Sequence, residues 1–185
     1  MSWIEEIDFE KADGMLKNIY DDAVGKRGKL SNILKVHSLN PKALKAHLEL
    51  YLSIMFTDSS ISREDCEMIA TVVSIANKCE YCKNHHAAAL LHYWNDRERL
   101  DRFTNDFNSV SLSENKRKML DYSLKLTSDP SSVEEKDIEE LRTHGFSDKD
   151  ILNINLIVSY FNFVNRIAEG LGVEYDPDEV RGYNY

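Results

Sequence analysis

Between Glu67 and His86 the chain gathers a carboxylate, two thiols and two imidazoles: Glu67, Cys79, Cys82, His85 and His86. Cys79-Glu80-Tyr81-Cys82 is a C-x-x-C pair, and His86 follows its second cysteine by four positions. Residues three or four apart share one face of a helix, so Cys79, Cys82 and His86 fall on one stripe if the segment after Asn77 is helical. That arrangement is a redox dithiol with a proton carrier beside it. A free thiol has a pKa near ~8.5 and is mostly protonated at neutral pH, and only the thiolate is nucleophilic. A helix N-terminus and a neighbouring imidazole both favour the thiolate, so the sequence predicts easy activation of Cys79 and Cys82. A thiolate attacking a hydroperoxide becomes a sulfenic acid, and a second thiol within reach condenses with it to a disulfide. His86 is placed to protonate the departing alkoxide, and thiol exchange with a reductant then reopens the disulfide.

Glu67 lies twelve residues before Cys79. On one continuous helix that is roughly 18 Å, too far to act. A turn at Asn77-Lys78 makes the two helices antiparallel and brings Glu67 level with His86, where a half-buried carboxylate orients an imidazole and raises its proton affinity. The same residues allow plainer readings. The cysteines are also read as two unreactive thiols on a helix, and Cys79, Cys82 and His86 (or His85) as three metal ligands. A structural zinc site, however, usually takes two such pairs or a distant histidine pair. Glu67 alone reads as a solvated first-turn carboxylate suited to the helix dipole. His37, His47 and His92 read as surface or core-edge residues, Cys66 as a small core filler, and Tyr81 as packing. Tyr160, Phe161 and Phe163 read as core, and Arg166 as the partner of a buried carbonyl or carboxylate.

The elements that must position these groups read as helices throughout. Residues 9–24 carry Ala12, Met15, Leu16, Ile19 and Tyr20 on one face, and Gly25-Lys26-Arg27-Gly28 breaks the pattern. After a short helix at 30–36, Asn40-Pro41 supplies an N-cap and a proline at the first helical position. The helix it opens bears Leu44, His47, Leu48, Tyr51, Leu52 and Met55, and Thr57-Asp58-Ser59-Ser60 ends it. Ser62 caps a helix over 63–76 that is apolar nearly all round beyond Met68, as a buried helix is. Cys79 falls in the first turn of the next, which runs to about residue 94. Further helices are predicted at 96–107 and 113–126, and Ser132 with Glu135 has capping-box spacing for another to about 143. Gly145 closes that one, and Ser147 caps a long pattern through 168. The polar, aromatic tail at 176–185 is a segment expected to fray or to dock on a neighbour. A shift of 85 residues lays Ser62 on Ser147, Asp65 on Asp150, Ile69 on Ile154, Val73 on Val158, Ser74 on Ser159 and Asn77 on Asn162, a weak internal repeat.

With 185 residues, 42% hydrophobic and 30% charged, the chain suits one globular domain. Its organisation reads as N-terminal helices at 8–61, a redox-active hairpin at 62–95, a second helical repeat at 96–175 and a tail at 176–185. Only 7 Gly and 3 Pro point to an all-α fold. The net charge of −9 disfavours nucleic acid and anionic membranes as partners. No run of 18 apolar residues and no basic n-region are present, so a cytoplasmic location is expected. Three cysteines do not make a disulfide scaffold, and in a reducing compartment a C-x-x-C is more often catalytic or metal-binding.

Glu67…Cys79-Glu-Tyr-Cys82-Lys-Asn-His-His86 resembles the Glu…Cys-x-x-Cys…His motif of the alkylhydroperoxidase D-like (carboxymuconolactone decarboxylase) superfamily. His37-Ser-Leu-Asn-Pro41, Ile69-Ala-Thr-Val-Val-Ser74 with Asn77, and Tyr160-Phe-Asn-Phe-Val-Asn-Arg166 are similar to its peroxidase-related branch, and the resemblance spans about residues 9–175. It implies an all-helical fold with a duplicated helical unit, assembly into trimers or hexamers (with a dimer as a smaller alternative), and thiol-dependent reduction of organic hydroperoxides without cofactor or metal. A protein dithiol or small thiol would be the reductant. By the same resemblance Cys82 attacks the peroxide, Cys79 resolves, and Glu67 with His86 relays protons. Tyr81, His85 and His37 would support the substrate. The helix dipole alone favours Cys79 as the attacking thiol, and the spacing to His86 favours Cys82, which is the assignment adopted. Tyr81 departs from the histidine that alkylhydroperoxidase D proteins often carry before the second cysteine, and a phenol titrates too high to replace it. The decarboxylase members lack this dithiol, so lactone decarboxylation is not expected. A thiol–disulfide exchange or redox-sensing oligomer with little peroxidase turnover is the alternative.

Overall fold

The buried helix expected between Ser62 and Asn77 is the axle of the molecule. A computed structural model describes residues 2–56 and 59–180, and among them are nine α-helices and no strand. They are α1 (Gly14–Arg27), α2 (Asn32–Lys35), α3 (Pro41–Met55), α4 (Arg63–Ala76), α5 (Glu80–Trp94), α6 (Arg97–Asn105), α7 (Glu114–Ser128), α8 (Glu135–Thr143) and α9 (Asp148–Gly170). Every residue of α4 from Asp65 to Ser74 is buried, because α5, α6, α7 and α9 pack around it. A smaller cluster of Leu16, Ile19, Tyr20, Ala23, Leu34 and Leu44 joins α1 to α2 and α3.

Capping chemistry sets the ends of the two longest-buried helices. Ser62 and Asp65 form a reciprocal capping box at the start of α4, and Ser147 and Asp150 form its counterpart at the start of α9. Asp150 also accepts the Ser60 N–H at 3.2 Å, so the two starts are tied together. The residues aligned by the 85-residue shift meet again at the other end, where Asn77 Nδ2 donates to Asn162 Oδ1 at 3.0 Å and to Asn165 Oδ1 at 2.9 Å. Asn40 caps α3 by accepting the Ala43 N–H at 3.1 Å.

Several local expectations need correction. Helix α1 begins at Gly14 after a separate 3-10 turn at Phe9–Lys11 and runs through Gly25; the break comes at Gly28, whose φ of 80° caps the helix in the left-handed region. Met15 is 45% exposed, one position off the packed face. The box that opens α8 is Glu134 with Asp137, not Ser132 with Glu135, and Ser132 lies in a 3-10 turn at Pro130–Ser132. Phe163 is half exposed, its ring leaning on His47 and Tyr160 rather than sinking into the core. Arg166 sits at the surface and donates to the Asn162 carbonyl of its own helix at 2.8 Å. Of the two places read for His47, surface or core edge, it takes the second, buried at the edge of the core. The stop signal at residues 57 and 58 and the tail beyond 180 lie outside the described residues.

Candidate active site

The site is built on the hairpin of α4 and α5. Asn77 ends α4, Lys78 takes a φ of 58°, and the Cys79 N–H returns to the Ser74 carbonyl at 2.9 Å, so the chain reverses within two residues. At the open end of the hairpin Trp94 Nε1 donates to Glu64 at 2.8 Å. Antiparallel pairing then sets Glu67 opposite His86: the Glu67 Oε2 to His86 Nδ1 distance is 2.7 Å. A carboxylate only accepts, so Nδ1 carries the hydrogen and Nε2 is left as the ring nitrogen able to take or give a proton. The edge-on ring of Phe161, 4.4 Å away between centroids, fixes the plane of His86.

Glu67 is 1% exposed, so it is not the solvated first-turn carboxylate of the plainer reading. A buried carboxylate needs a counter-charge, and Arg63, one helical turn earlier, supplies it: Arg63 Nη2 lies 2.6 Å from Glu67 Oε1 and donates to the Tyr51 hydroxyl at 2.9 Å. Burial works against the charge on Arg63, yet Glu67 and Tyr51 hold the guanidinium protonated beyond its ordinary range. Tyr51, Arg63, Glu67 and His86 therefore form one chain from α3 through α4 to α5.

This chain opens on a small cavity of about 100 Å³. Cys82, Glu67, His85, His86 and Tyr81 line it, and Cys79 is not among its walls. Both thiols are free and buried, Cys79 at 0% and Cys82 at 2% exposure. Cys79 is the N-cap residue of α5 and Cys82 is in its first turn, as the sequence predicted. The expectation of easy activation is nevertheless corrected for Cys82. Its hydrogen-bond contact with Cys79, together with burial, pushes the thiol well above its ordinary value; the Asn165 amide from α9 works the other way by donating to the sulfur. Cys66 is a buried core filler whose thiol desolvation pushes up to about 12. No cluster of three or more His, Cys, Asp or Glu side chains able to hold a metal ion occurs among the described residues.

The supporting residues do not all face the cavity. Tyr81 and His85 are in the wall, but Tyr81 does not offer its phenol to the cavity as a free acid. Its hydroxyl donates to Glu179 at 2.7 Å and accepts the Ile33 N–H at 3.1 Å. His37 stands behind the wall, with Nδ1 2.7 Å from the Ile33 carbonyl and its ring 4.7 Å from that of His47. His47 itself lines the cavity, 3.0 Å from the Tyr160 hydroxyl, and burial with the neighbouring His37 lowers it to about 4, so it is neutral. His47, Tyr51, Arg63, Tyr160, Asn165 and Glu179 were not singled out as site residues from sequence. His47 and Tyr51 do share the apolar stripe of α3, four residues apart, and a polar pair on such a stripe is the one signal that pointed inward. A larger open groove of about 1080 Å³ between α1 and α3 shares Leu48, Tyr51 and Arg63 with the cavity. No helix among the described residues is long and apolar enough to cross a membrane.

Comparison with known proteins agrees with this architecture. The sequence model of the carboxymuconolactone decarboxylase family matches residues 41–104, which hold α3, α4, α5 and most of α6. An uncharacterized peroxidase-related protein from Silicibacter sp. TM1040 is 30% identical, with a TM-score of 0.87 over 97% of this chain and 94% of that one. An alkylhydroperoxidase AhpD core protein from Ralstonia eutropha JMP134, also peroxidase-related and uncharacterized, is 26% identical with a TM-score of 0.88 over the same shares, 97% and 94%. The debrominase Bmp8, solved with 2,3,4-tribromopyrrole, shares the fold at 19% identity and a TM-score of 0.80 over 94% of this chain and 91% of its own. No curated protein matches significantly.

Proposed function

From the premise that the chain belongs to the alkylhydroperoxidase D-like (carboxymuconolactone decarboxylase) superfamily, we propose that it is a thiol peroxidase that reduces organic hydroperoxides by a Cys79–Cys82 dithiol/disulfide cycle. The observation that carries the reading is the convergence of Cys82, His86 and the buried Glu67 on one small cavity. Cys82, the thiol in the cavity wall, gives its proton to His86 Nε2 and attacks the terminal peroxide oxygen. The O–O bond breaks, an S–O bond forms, and His86 returns the proton to the departing alkoxide, which leaves as an alcohol. Cys79 then attacks the sulfenic sulfur, the S–S bond forms, and the hydroxyl departs as water. An external dithiol reduces the disulfide by exchange.

The raised thiol of Cys82 fits this order, because the proton moves when the peroxide is present rather than beforehand. The cavity of about 100 Å³ beside Cys82 has room for a hydroperoxy head, and the same opening would admit the sulfur of the reductant. A cytoplasmic location, a protein dithiol or small thiol as reductant and a homo-oligomeric state, trimer or hexamer, belong to the same proposal.

The test is consumption of cumene hydroperoxide in the presence of dithiothreitol. Cys82→Ser is expected to abolish turnover, and Cys79→Ser to stop at a sulfenic acid or mixed disulfide on Cys82, read by mass spectrometry. Full peroxide consumption by both variants would end the proposal, and equal reactivity of the parent toward small disulfides would favour plain thiol–disulfide exchange.

A further inference from the structure

A second imidazole in the cavity wall, His85, is paired behind that wall with a carboxylate from a part of the chain far from the motif. His85 follows Cys82 by three residues and His86 by four, so both rings lie within a helical turn of that sulfur. Each has its own carboxylate: Glu67 from α4 for His86, and Glu179 from the segment after α9 for His85, whose Nε2 is 3.4 Å from Glu179 Oε1. Glu179 is held closely. Its Oε1 accepts the Tyr81 hydroxyl and the Asn32 N–H, both at 2.7 Å, and its Oε2 accepts Asn32 Nδ2 at 2.6 Å. Lys29 Nζ secures the adjacent Asp178 carbonyl at 2.7 Å. The Tyr81 ring packs on His85 with centroids 4.4 Å apart, and Tyr175 meets the other ring edge-on at 6.4 Å. These groups, from α2, α5 and the C-terminal segment, are the polar and aromatic partners that face the pair. Burial works against the charge on Glu179, but His85, Asn32 and Tyr81 together hold its carboxyl below the ordinary range, so it is ionised at neutral pH.

The proposed cycle moves protons twice, once in each chemical step, and the Glu67–His86 pair accounts for the first. We propose that the Glu179–His85 pair serves the second, the condensation of Cys79 with the Cys82 sulfenic acid. His85 donates a proton to the hydroxyl leaving Cys82, which departs as water as the S–O bond breaks, and takes up the proton that Cys79 releases as the S–S bond forms. The step is balanced and needs no further oxidant. Glu179 is a positioning residue that holds His85 from behind the cavity wall. The inference rests on the peroxidase reading and extends it to the second half-reaction.

A single-turnover experiment on the full chain separates the two. Reduced protein is mixed with cumene hydroperoxide across pH 5.5–8.5. Sulfenic acid is read by dimedone trapping and the Cys79–Cys82 disulfide by mass spectrometry of the alkylated, unreduced peptide, in the parent, Glu179→Gln, Glu179→Asp and His85→Asn. Disulfide formation is expected to slow at least about 10-fold in Glu179→Gln and His85→Asn, with a flattened pH profile and a longer-lived sulfenic acid. Sulfenic acid formation in Glu179→Gln should move by no more than about 2-fold, Glu179→Asp should recover part of the disulfide rate, and the Glu179→Gln, His85→Asn double variant should form disulfide no more slowly than the worse single one. Disulfide formation at the parent rate and pH profile in folded Glu179→Gln would overturn the inference, as would equal slowing of both steps or multiplying effects in the double variant. Absence of any sulfenic acid in the parent would instead overturn the peroxidase reading, and this step with it.

Discussion

Replacing Glu67 by Gln isolates the charge at the centre of the site while keeping the shape of the side chain. In the parent, one carboxylate with 1% exposure serves two partners, Arg63 at 2.6 Å and His86 at 2.7 Å. The amide oxygen of Gln can still accept from one of them, but the guanidinium loses its counter-ion while its side chain stays only 20% exposed. Breaking a buried pair by removing one partner costs about 3–5 kcal/mol. Arg63 keeps its bond to Tyr51 and some solvent, so the lower end applies, about 3 kcal/mol. For a chain of this size each kcal/mol moves the melting temperature by about 2–4 °C, which gives a fall of roughly 6–12 °C. Deleting both charges removes the uncompensated cation as well, so Glu67→Gln combined with Arg63→Met should recover about 2 kcal/mol relative to the sum of the single variants. Thermal melts at pH 7, followed by circular dichroism for the parent, both single variants and the double one, measure the cycle. Strictly additive losses, or a Glu67→Gln melting temperature within about 2 °C of the parent, would show that the ion pair does not hold the site together.

Other consequences follow from the same geometry. His47 titrates near 4 when folded against an ordinary 6.5, so the unfolded chain binds its proton first as the pH falls. That contribution is intact above about pH 6.5 and drains away between 6.5 and about 4, a loss of about 3 kcal/mol, and His47→Phe should flatten the stability profile measured by urea melts across that window. Asn165→Leu removes the amide that opposes the raised Cys82 thiol and its bonds to Asn77 and Ser74, so Cys82 oxidation should slow and stability drop by about 1–3 kcal/mol, read by stopped-flow and urea melts. Because that thiol is raised, the rate of Cys82 alkylation by iodoacetamide in the Cys79→Asn variant should keep climbing through weakly alkaline pH; if the Cys79 contact is the main cause, the rise should begin at lower pH there than in the parent. Lys78→Gly relieves a left-handed residue and should raise stability by up to about 1 kcal/mol without loss of activity, checked by melts and peroxide consumption.

The hairpin was legible because its signals are local. Ser62 with Asp65 fixes where α4 starts, Asn77-Lys78 fixes the turn, and helix geometry then leaves Glu67 only one place to go. The remainder of the site is assembled across long separations, and single-residue patterns do not specify those. Tyr51 and His47 sit on an apolar stripe that is satisfied as ordinary core packing. Arg63 lies where a first-turn arginine reads as solvent-facing, until the burial of Glu67 demands a cation. Asn165 shares its string with aromatics that dominate the pattern, and Glu179 lies in a tail with no periodicity at all. The displaced box at α8 has a similar cause: Ser132-x-x-Glu135 and Glu134-x-x-Asp137 overlap by two residues, and the acidic box wins by pairing Asp137 with Lys125 of α7 at 2.6 Å.

The unequal sequence separations also set an order of assembly. Glu67 and His86 are 19 residues apart and joined by a tight turn, so their pairing is a low-contact-order event available to an early folding nucleus. The groups that enclose the sulfurs come from much farther along: Asn77 meets Asn165 across 88 residues, and Tyr81 meets Glu179 across 98. A chain that forms the hairpin first would leave its thiols unshielded until the distant segments dock. Refolding in air should divert material into cross-linked by-products, whereas a reductant kept present until α9 and the tail have docked should restore the yield.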